Sequence, residues 1–441
     1  MDIGFALLVS FSLLVVSALQ GVYIALPLLA TLLILSLTLW RRGISGASLL
    51  QMAIQGSRKA LPVFTILLMI GAVTSTWMAA GTVPALVYYG VGLINPHWFV
   101  LAAFLLTSLV SLLLGTSFGA AGTVGLALVI MARGSGSNPH LIAGAVIAGA
   151  YFGDRCSPMS SSAHLIAALT RTDLYANLKA MLTTGLLPFG LSSLIYWGWS
   201  WLYPVELTDS SLTQELRQFF DLNGIVLLPA VIILGLALLR VEVKRAMLVS
   251  IGTAMGLALL YQHYSWTQVM RFALLGFQLE ADTPIQKILL GGGVWSMVKV
   301  CGIVLISTAI AGLLTGSRAL QDLPLLRRGH LARNSSLTGR TRFLNTTLIS
   351  LVAAGFGCTQ TIGILLTEEL VRPAYSQPAD LALDLENSVV VLAPLVPWNI
   401  AGLVPATVLM TDWQFIPYAV YLYLIPAVVL LRSRCLSPKS Q

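Results

Sequence analysis

Charge is what this sequence most lacks. Only 10% of its 441 residues are Asp, Glu, Lys or Arg, while 57% are apolar; a soluble domain carries roughly 25% charged residues. That shortage excludes an ordinary soluble fold. Charge-free runs occupy residues 3 to 40, 60 to 132, 180 to 205, 343 to 367 and 413 to 431, and about 20 apolar residues cross a bilayer as a helix. Several runs are long enough to cross more than once. A spanning segment must satisfy its own backbone hydrogen bonds, so the expected fold is an all-α membrane protein, a polytopic bundle of about 10 to 12 helical elements, some of them broken.

Cysteine and histidine are also sparse. Cys156, Cys301, Cys358 and Cys435 stand far apart and form no C-x-x-C or Cys/His spacing, which excludes the usual metal and redox motifs and leaves them packing roles. The five histidines are scattered, and His164, the one beside the polar stretch described below, reads as a packing residue. No Walker loop is present, nor a G-x-S-x-G or H-E-x-x-H pattern. An enzyme is therefore not expected, and neither is a cofactor or a resident metal. The N-terminal MDIGFALLVSF lacks the basic start of a secretory signal, so the first helix is expected to be retained.

The charges that are present sit in clusters. Arg41, Arg42, Arg58 and Lys59 follow the second helix; Arg240, Lys244 and Arg245 form another group. A basic loop over 316–342 carries Arg318, Arg327, Arg328, Arg333, Arg340 and Arg342. Such loops stay on the cytoplasmic side. Glu206, Asp209, Glu215 and Asp221, with Arg217 as their one basic neighbour, suit the opposite face. Topology thus accounts for the net charge of +8, and nucleic acid is not expected as a partner.

Within the apolar sequence lies GDRCSPMSSSA, residues 153 to 163. It sets Asp154 and Arg155 beside Pro158 and the hydroxyls of Ser157, Ser160, Ser161 and Ser162. Proline and glycine at membrane depth free backbone groups that must be buried in protein or line a wet cavity. Hydroxyls and bared carbonyls are hard oxygen ligands, and an intramembrane carboxylate is expensive unless it meets a cation or a proton. The alternative is that Asp154 and Ser157 cap a helix restarting at Pro158 in an exposed loop.

The two halves of the chain rhyme. LLLGTSFGAAGTVG (112–125), with Thr116 and Ser117, precedes the GDRCSP stretch; AAGFGCTQTIG (353–363), with Thr359 and Gln360, precedes ENSVVVLAPLVPWN (386–399), which carries Glu386, Asn387, Ser388, Trp398 and Asn399. Paired interruptions in corresponding positions point to the midplane site of a secondary transporter. The expected division is two N-terminal helices and a basic loop (1–59), a first transport repeat (60–204), a polar loop (205–223) and a second repeat (224–441), with the repeats inverted relative to one another. Asp380 and Asp384 read as water-facing residues near Arg372. Trp398 reads either as an interfacial anchor or as lining the site.

These residues resemble a family. GAYFGDRCSPMSSSAHLIAALTRTDLYANLKAM (149–181) is similar to the hallmark segment of the NhaC family of sodium/proton antiporters, and the likeness extends to MIGAVTSTWMAAGTVPALVYYG (69–90), SLLLGTSFGAAGTVG (111–125), the glycines at 291–293 and LALDLENSVVVLAPLVPWNIAG (381–402). The resemblance implies a multi-pass antiporter of a prokaryotic cytoplasmic membrane, working by alternating access, with sodium and protons as cargo and lipid as its surroundings. It singles out Thr76, Trp77, Gly81, Gly153, Pro158 and Pro397 besides the site residues above. A homodimer is left open. The chain also departs from the family. Ser161 stands where SPLSDTT has an acid, Thr359 where a GDQ-like acid is common, and Asn387 where EDSGT has an acid. An exchanger needs groups that take either a cation or a proton, and here Asp154 and Glu386 are what remains. A hydroxyl-rich site with fewer acids also suits a coupled carrier of an amino acid or small organic anion. A channel would show a ring-forming filter motif, which is lacking.

Overall fold

The structure is a computed structural model, and it describes residues 3–58, 60–93, 95–134, 137–204, 210–239, 241–279, 291–317, 319 and 339–432. Lys59, Glu206, Asp209, Arg240, Arg318, Arg327, Arg328, Arg333 and Cys435, together with most of the basic loop, lie outside these residues. The chain is built from helices, and the described residues contain no strand, only an isolated bridge between Phe277 and Gly291. In chain order the helices are α1 (Ile3–Leu19), α2 (Ala25–Arg41), α3 (Gly46–Arg58), α4 (Leu61–Ala79), α5 (Thr82–Leu93), α6 (Phe99–Leu114), α7 (Ser117–Ala120), α8 (Leu126–Gly134), α9 (Pro139–Cys156), α10 (Ser161–Thr170) and α11 (Leu174–Leu202). They continue as α12 (Ser210–Phe219), α13 (Leu228–Leu238), α14 (Val243–Leu260), α15 (Trp266–Leu275), α16 (Val294–Gly316), α17 (Gly339–Gly357), α18 (Gln360–Val371), α19 (Pro378–Asn387), α20 (Val389–Leu392), α21 (Ile400–Val408) and α22 (Val420–Arg432). Their number exceeds 10 to 12 because interruptions cut spanning stretches in two.

Among the described residues, three helices are long and apolar enough to cross a membrane unaided, Pro96–Leu114, Leu174–Leu202 and Val294–Gly316; two bent pairs raise the number to five, and shorter apolar helices accompany them. The outward-facing side chains of α11, among them Leu186, Leu194 and Trp201, are large, apolar and exposed. They are what a lipid-facing surface presents. The chain is an all-α, multi-pass membrane protein.

Two interruptions share one local conformation. After α6, Gly115 turns into the left-handed region (φ 65°), and Thr116 is extended with its hydroxyl accepting from the Gly119 N–H. After α17, Cys358 takes the same turn (φ 54°), and Thr359 is extended with its hydroxyl accepting from the Ile362 N–H. A hydroxyl cap of this kind satisfies one of the donors orphaned at a restarting helix. Each interruption folds the chain back as a hairpin, the first continuing through a π-helical stretch at Ala121–Gly125.

The hairpins enter from opposite ends of the molecule. At one end, His97 stacks on Trp201, the Leu101 N–H donates to Ser200, Trp199 meets Tyr418, Tyr418 receives a bond from Asn138, and Arg133 bonds the Met410 carbonyl. Both mouths of the α6–α8 hairpin therefore lie there. At the other end, Arg342 pairs with Asp380 and Arg372 bonds the Leu169 carbonyl, so both mouths of the α17–α18 hairpin lie with the ends of α10 and the start of α19. Close packing sets the depth of the interruptions. A Cβ on Gly153 would stand 2.4 Å from the Leu112 nitrogen and 2.5 Å from the Ser108 carbonyl oxygen, so glycine lets α9 lie directly against α6. The Ser111 hydroxyl bonds the Ala150 carbonyl across the same seam.

Candidate functional site

Helix α9 ends at Cys156, and its last turn presents Asp154 and Arg155 to the interior: Asp154 is 7% exposed and Arg155 fully buried. The backbone then runs extended through Ser157, and α10 restarts on a Ser160 cap that accepts from the Ala163 N–H. Ser157 also accepts from the Met159 N–H. Capping is therefore a real role of these serines, but the stretch is no surface loop, since Ser157, Ser160 and Ser162 are buried. The Ser160 and Ser162 hydroxyls lie 2.9 Å apart. Ser160 and Ser117 are the hydroxyl residues that neighbour the Asp154 carboxyl. The α6 interruption thus meets the α9 interruption, and Gly115 lies directly against Met159.

The second half supplies the facing wall. Helix α19 ends at Asn387, and Ser388 breaks it with φ −121° and ψ −87°. Glu386 and Asn387 in its last turn are 1% exposed. Among the described residues, neither carboxyl oxygen of Glu386 has a hydrogen-bond partner, and the Asn387 Nδ2 has none either. The Ser388 hydroxyl donates to the Asp384 carbonyl at 2.6 Å and accepts from Ser350 at 3.0 Å. Asp154 and Glu386 are close enough to sense each other's charge, as are Glu386 and Arg155. Both carboxyls also stand in the last turn of a helix, where the backbone dipole favours a cation. The arrangement buries two carboxyls, each in the last turn of a broken helix, with serine hydroxyls at the same breaks.

Arg155 joins the two halves. Its Nε donates to the Glu386 carbonyl (3.2 Å), one terminal nitrogen to the Met181 carbonyl (3.3 Å) and the Tyr421 hydroxyl (3.4 Å), and the other to Thr184 (3.3 Å) and the Asn387 Oδ1 (2.5 Å). No donor goes to Asp154, its neighbour in sequence, because successive helical residues point about 100° apart.

Asp154, Ser117, Ser160, Ser162, Glu386 and Asn387 come together; other sequence candidates serve the breaks. Ser161 is exposed on the outer side of α10. Thr116 and Thr359 are the caps already described. Gln360 donates to the Val390 carbonyl at 3.0 Å, Trp398 to the Gly355 carbonyl at 2.7 Å and Asn399 to the Ala354 carbonyl at 2.8 Å. These three side chains satisfy carbonyls released near the α17 and α20 ends. Trp77 and Thr76 stand apart, Trp77 donating to Ser250 and Thr76 bonding back to its own helix. Asp380 and Asp384 pair with Arg342, at 3.0 and 4.0 Å, and not with Arg372, which holds Glu368. Thr184, Tyr421 and Ser350 carried no signal in the sequence, since each sits in an unbroken apolar helix.

Comparison with known proteins agrees with this geometry. Residues 149–432 match the model of the Na+/H+ antiporter family. An uncharacterised Na(+)/H(+) antiporter of Haemophilus influenzae is 32% identical over 380 residues, 82% of this chain and 80% of that protein. A malate-2H(+)/Na(+)-lactate antiporter of Bacillus subtilis is 28% identical, over 86% of this chain and 82% of its own length. The Na(+)/H(+) antiporter NhaC of Alkalihalophilus pseudofirmus is 27% identical, over 84% and 81%. With its buried carboxyls, broken helices and this match over most of its length, the chain belongs to the Na+/H+ antiporter family.

Proposed function

We propose that the chain exchanges sodium for protons across a prokaryotic cytoplasmic membrane by alternating access, with Asp154 and Glu386 as the groups that hold cation and proton in turn. One observation carries this reading: Glu386 is buried, and both its carboxyl oxygens are unpartnered among the described residues. A buried carboxylate left so is costly, and a transported cation or a proton supplies what the protein does not. Asp154 with Ser117 and Ser160 supplies further oxygens. The two hairpins with matching caps and opposite entry support inverted repeats over about 60–204 and 224–432, whose relative rocking would open the site to each side in turn.

A second reading, a sodium- or proton-coupled carrier of an amino acid or small organic anion, is favoured by the free Asn387 Nδ2, a buried donor fit for a carboxylate. Purified protein in liposomes with an internal pH dye separates the two. Sodium or lithium should drive proton movement in the wild type. Glu386→Gln removes a charge that no described group bonds, so it should fold with normal yield and abolish that movement. Asp154→Asn should do the same, judged as transport per molecule recovered in a sharp gel-filtration peak. No response to any cation, with a response on adding an organic acid, would install the second reading.

A further inference from the structure

We infer that Arg155 is the resident counter-cation of the site, cancelling one of its two carboxylate charges and so restricting it to one monovalent cation at a time, which makes the exchange electroneutral. The inference rests on the assignment of sodium and protons as cargo. Arg155 is fully buried, and all five of its N–H groups are used. Every acceptor is neutral: two backbone carbonyls, two hydroxyls and an amide oxygen. An arginine holds its charge at any accessible pH, so the guanidinium counts as positive in every step of a cycle. It is also fixed in place, because its fork is planar and its partners come from three helices, α11, α19 and α22. Space is kept for it: a Cβ on Gly185 would stand 3.1 Å from both an Arg155 terminal nitrogen and the Tyr421 hydroxyl.

The balance of the pocket follows. Glu386 feels both Arg155 and Asp154, and the described residues contain no group of three or more His, Cys, Asp or Glu that could hold a metal ion. With both carboxylates ionised, the three groups carry one net negative charge. One sodium ion or one proton neutralises it, whereas a second would leave a net positive charge in an apolar interior, which is strongly unfavourable. A site that is neutral when loaded with either cargo moves no net charge across the membrane over a full exchange. Asn387 belongs to the same device. Its amide oxygen lies 2.5 Å from the guanidinium, where a carboxylate would cancel the arginine and return the second negative charge to the pocket.

Liposomes holding the whole protein test this directly, with a potassium gradient and valinomycin setting the membrane potential and sodium and pH read together at zero net flux. For each net charge moved per cycle, a potential of about 100 mV would shift the balancing sodium ratio by roughly 50-fold. The wild type should show no shift. Arg155→Lys, which keeps the charge, should show none; Arg155→Gln and Asn387→Asp each leave two uncompensated negative charges, which two protons neutralise but one sodium ion does not, so each should exchange one sodium for two protons and acquire a shift. Asn387→Asp retains an acceptor for the guanidinium, so it remains informative if Arg155→Gln fails to fold. A shift of that size in the wild type, or a transporting Asn387→Asp that ignores voltage, would overturn the inference. A wild type that moves no protons with any cation would instead refute the cargo assignment.

Discussion

A single serine can belong to the fold and to the site at once, and Ser160 does. Its hydroxyl caps α10 and touches Ser162, and the residue neighbours Asp154. Ser160→Ala should therefore lower stability by about 1 kcal/mol, the usual worth of such a cap, and also raise the sodium concentration needed for half-maximal exchange. Thermal unfolding in detergent measures the first effect and dye-loaded liposomes the second. Ser161→Ala should change neither, because Ser161 is exposed. The sequence displayed four serines beside Asp154 without ranking them. Their ranking depends on the rotational phase in which α10 restarts, and that phase is set by a cap whose partner is fixed only when the chain is folded. Asp154 and Glu386 were legible because acids are rare here. Arg155 was legible as a charge but not as a clamp, since its acceptors are mainly backbone carbonyls and side chains distant in sequence.

At the scale of elements, the interruptions are held by conformations that few residues tolerate. Gly115 combines φ 65° with a Cβ position 2.4 Å from the Met159 Cβ. Gly115→Ala should lose about 1 to 2 kcal/mol from the left-handed backbone alone, and the clash would part the two interruptions that together surround Asp154. The expected result is a sharp fall in protein recovered as a monodisperse peak, with little exchange in what remains; near-normal recovery and exchange would mean the interruptions need not touch. The GTS and CTQ triplets announced both breaks, because small and hydroxyl residues in an apolar run have few other uses. What they could not announce is that the chain turns back at each break. Direction comes from where the mouths close, and those contacts, His97 with Trp201 and Arg372 with Leu169, join residues far apart in sequence.

Charge orients the whole molecule. The start of α3, just past Arg41 and Arg42, lies with the end of α16, where Met52 packs on Gly316; Arg342 and Arg372 mark the mouth of the second hairpin. At the other pole, Gln262 bonds both the Asp221 backbone and the Ala80 carbonyl, next to the end of α4. This polarity could be read from the clusters of basic and acidic residues. Arg133 stands at the opposite mouth, bonding the Met410 carbonyl, and Arg58 does not follow the polarity either. The Ser57 hydroxyl donates to the Leu305 carbonyl, and a Cβ on Gly56 would stand 2.2 Å from the Thr308 carbonyl oxygen, so Arg58 flanks the middle of α16 and not its end. Glycine-mediated contact between α3 and α16 draws the helix inward, and a charge count has no knowledge of such contact. If basic ends face the cytoplasm, a cysteine introduced by Arg42→Cys in a background without the four native cysteines should react with an impermeant thiol reagent only in inside-out vesicles. Asn223→Cys, at an exposed position beside Asp221, should react only in intact spheroplasts. Reversal of both patterns would invert the molecule in the membrane, while reaction of both from one side would mean that the Gln262 contacts and the basic ends share a face, contrary to this polarity.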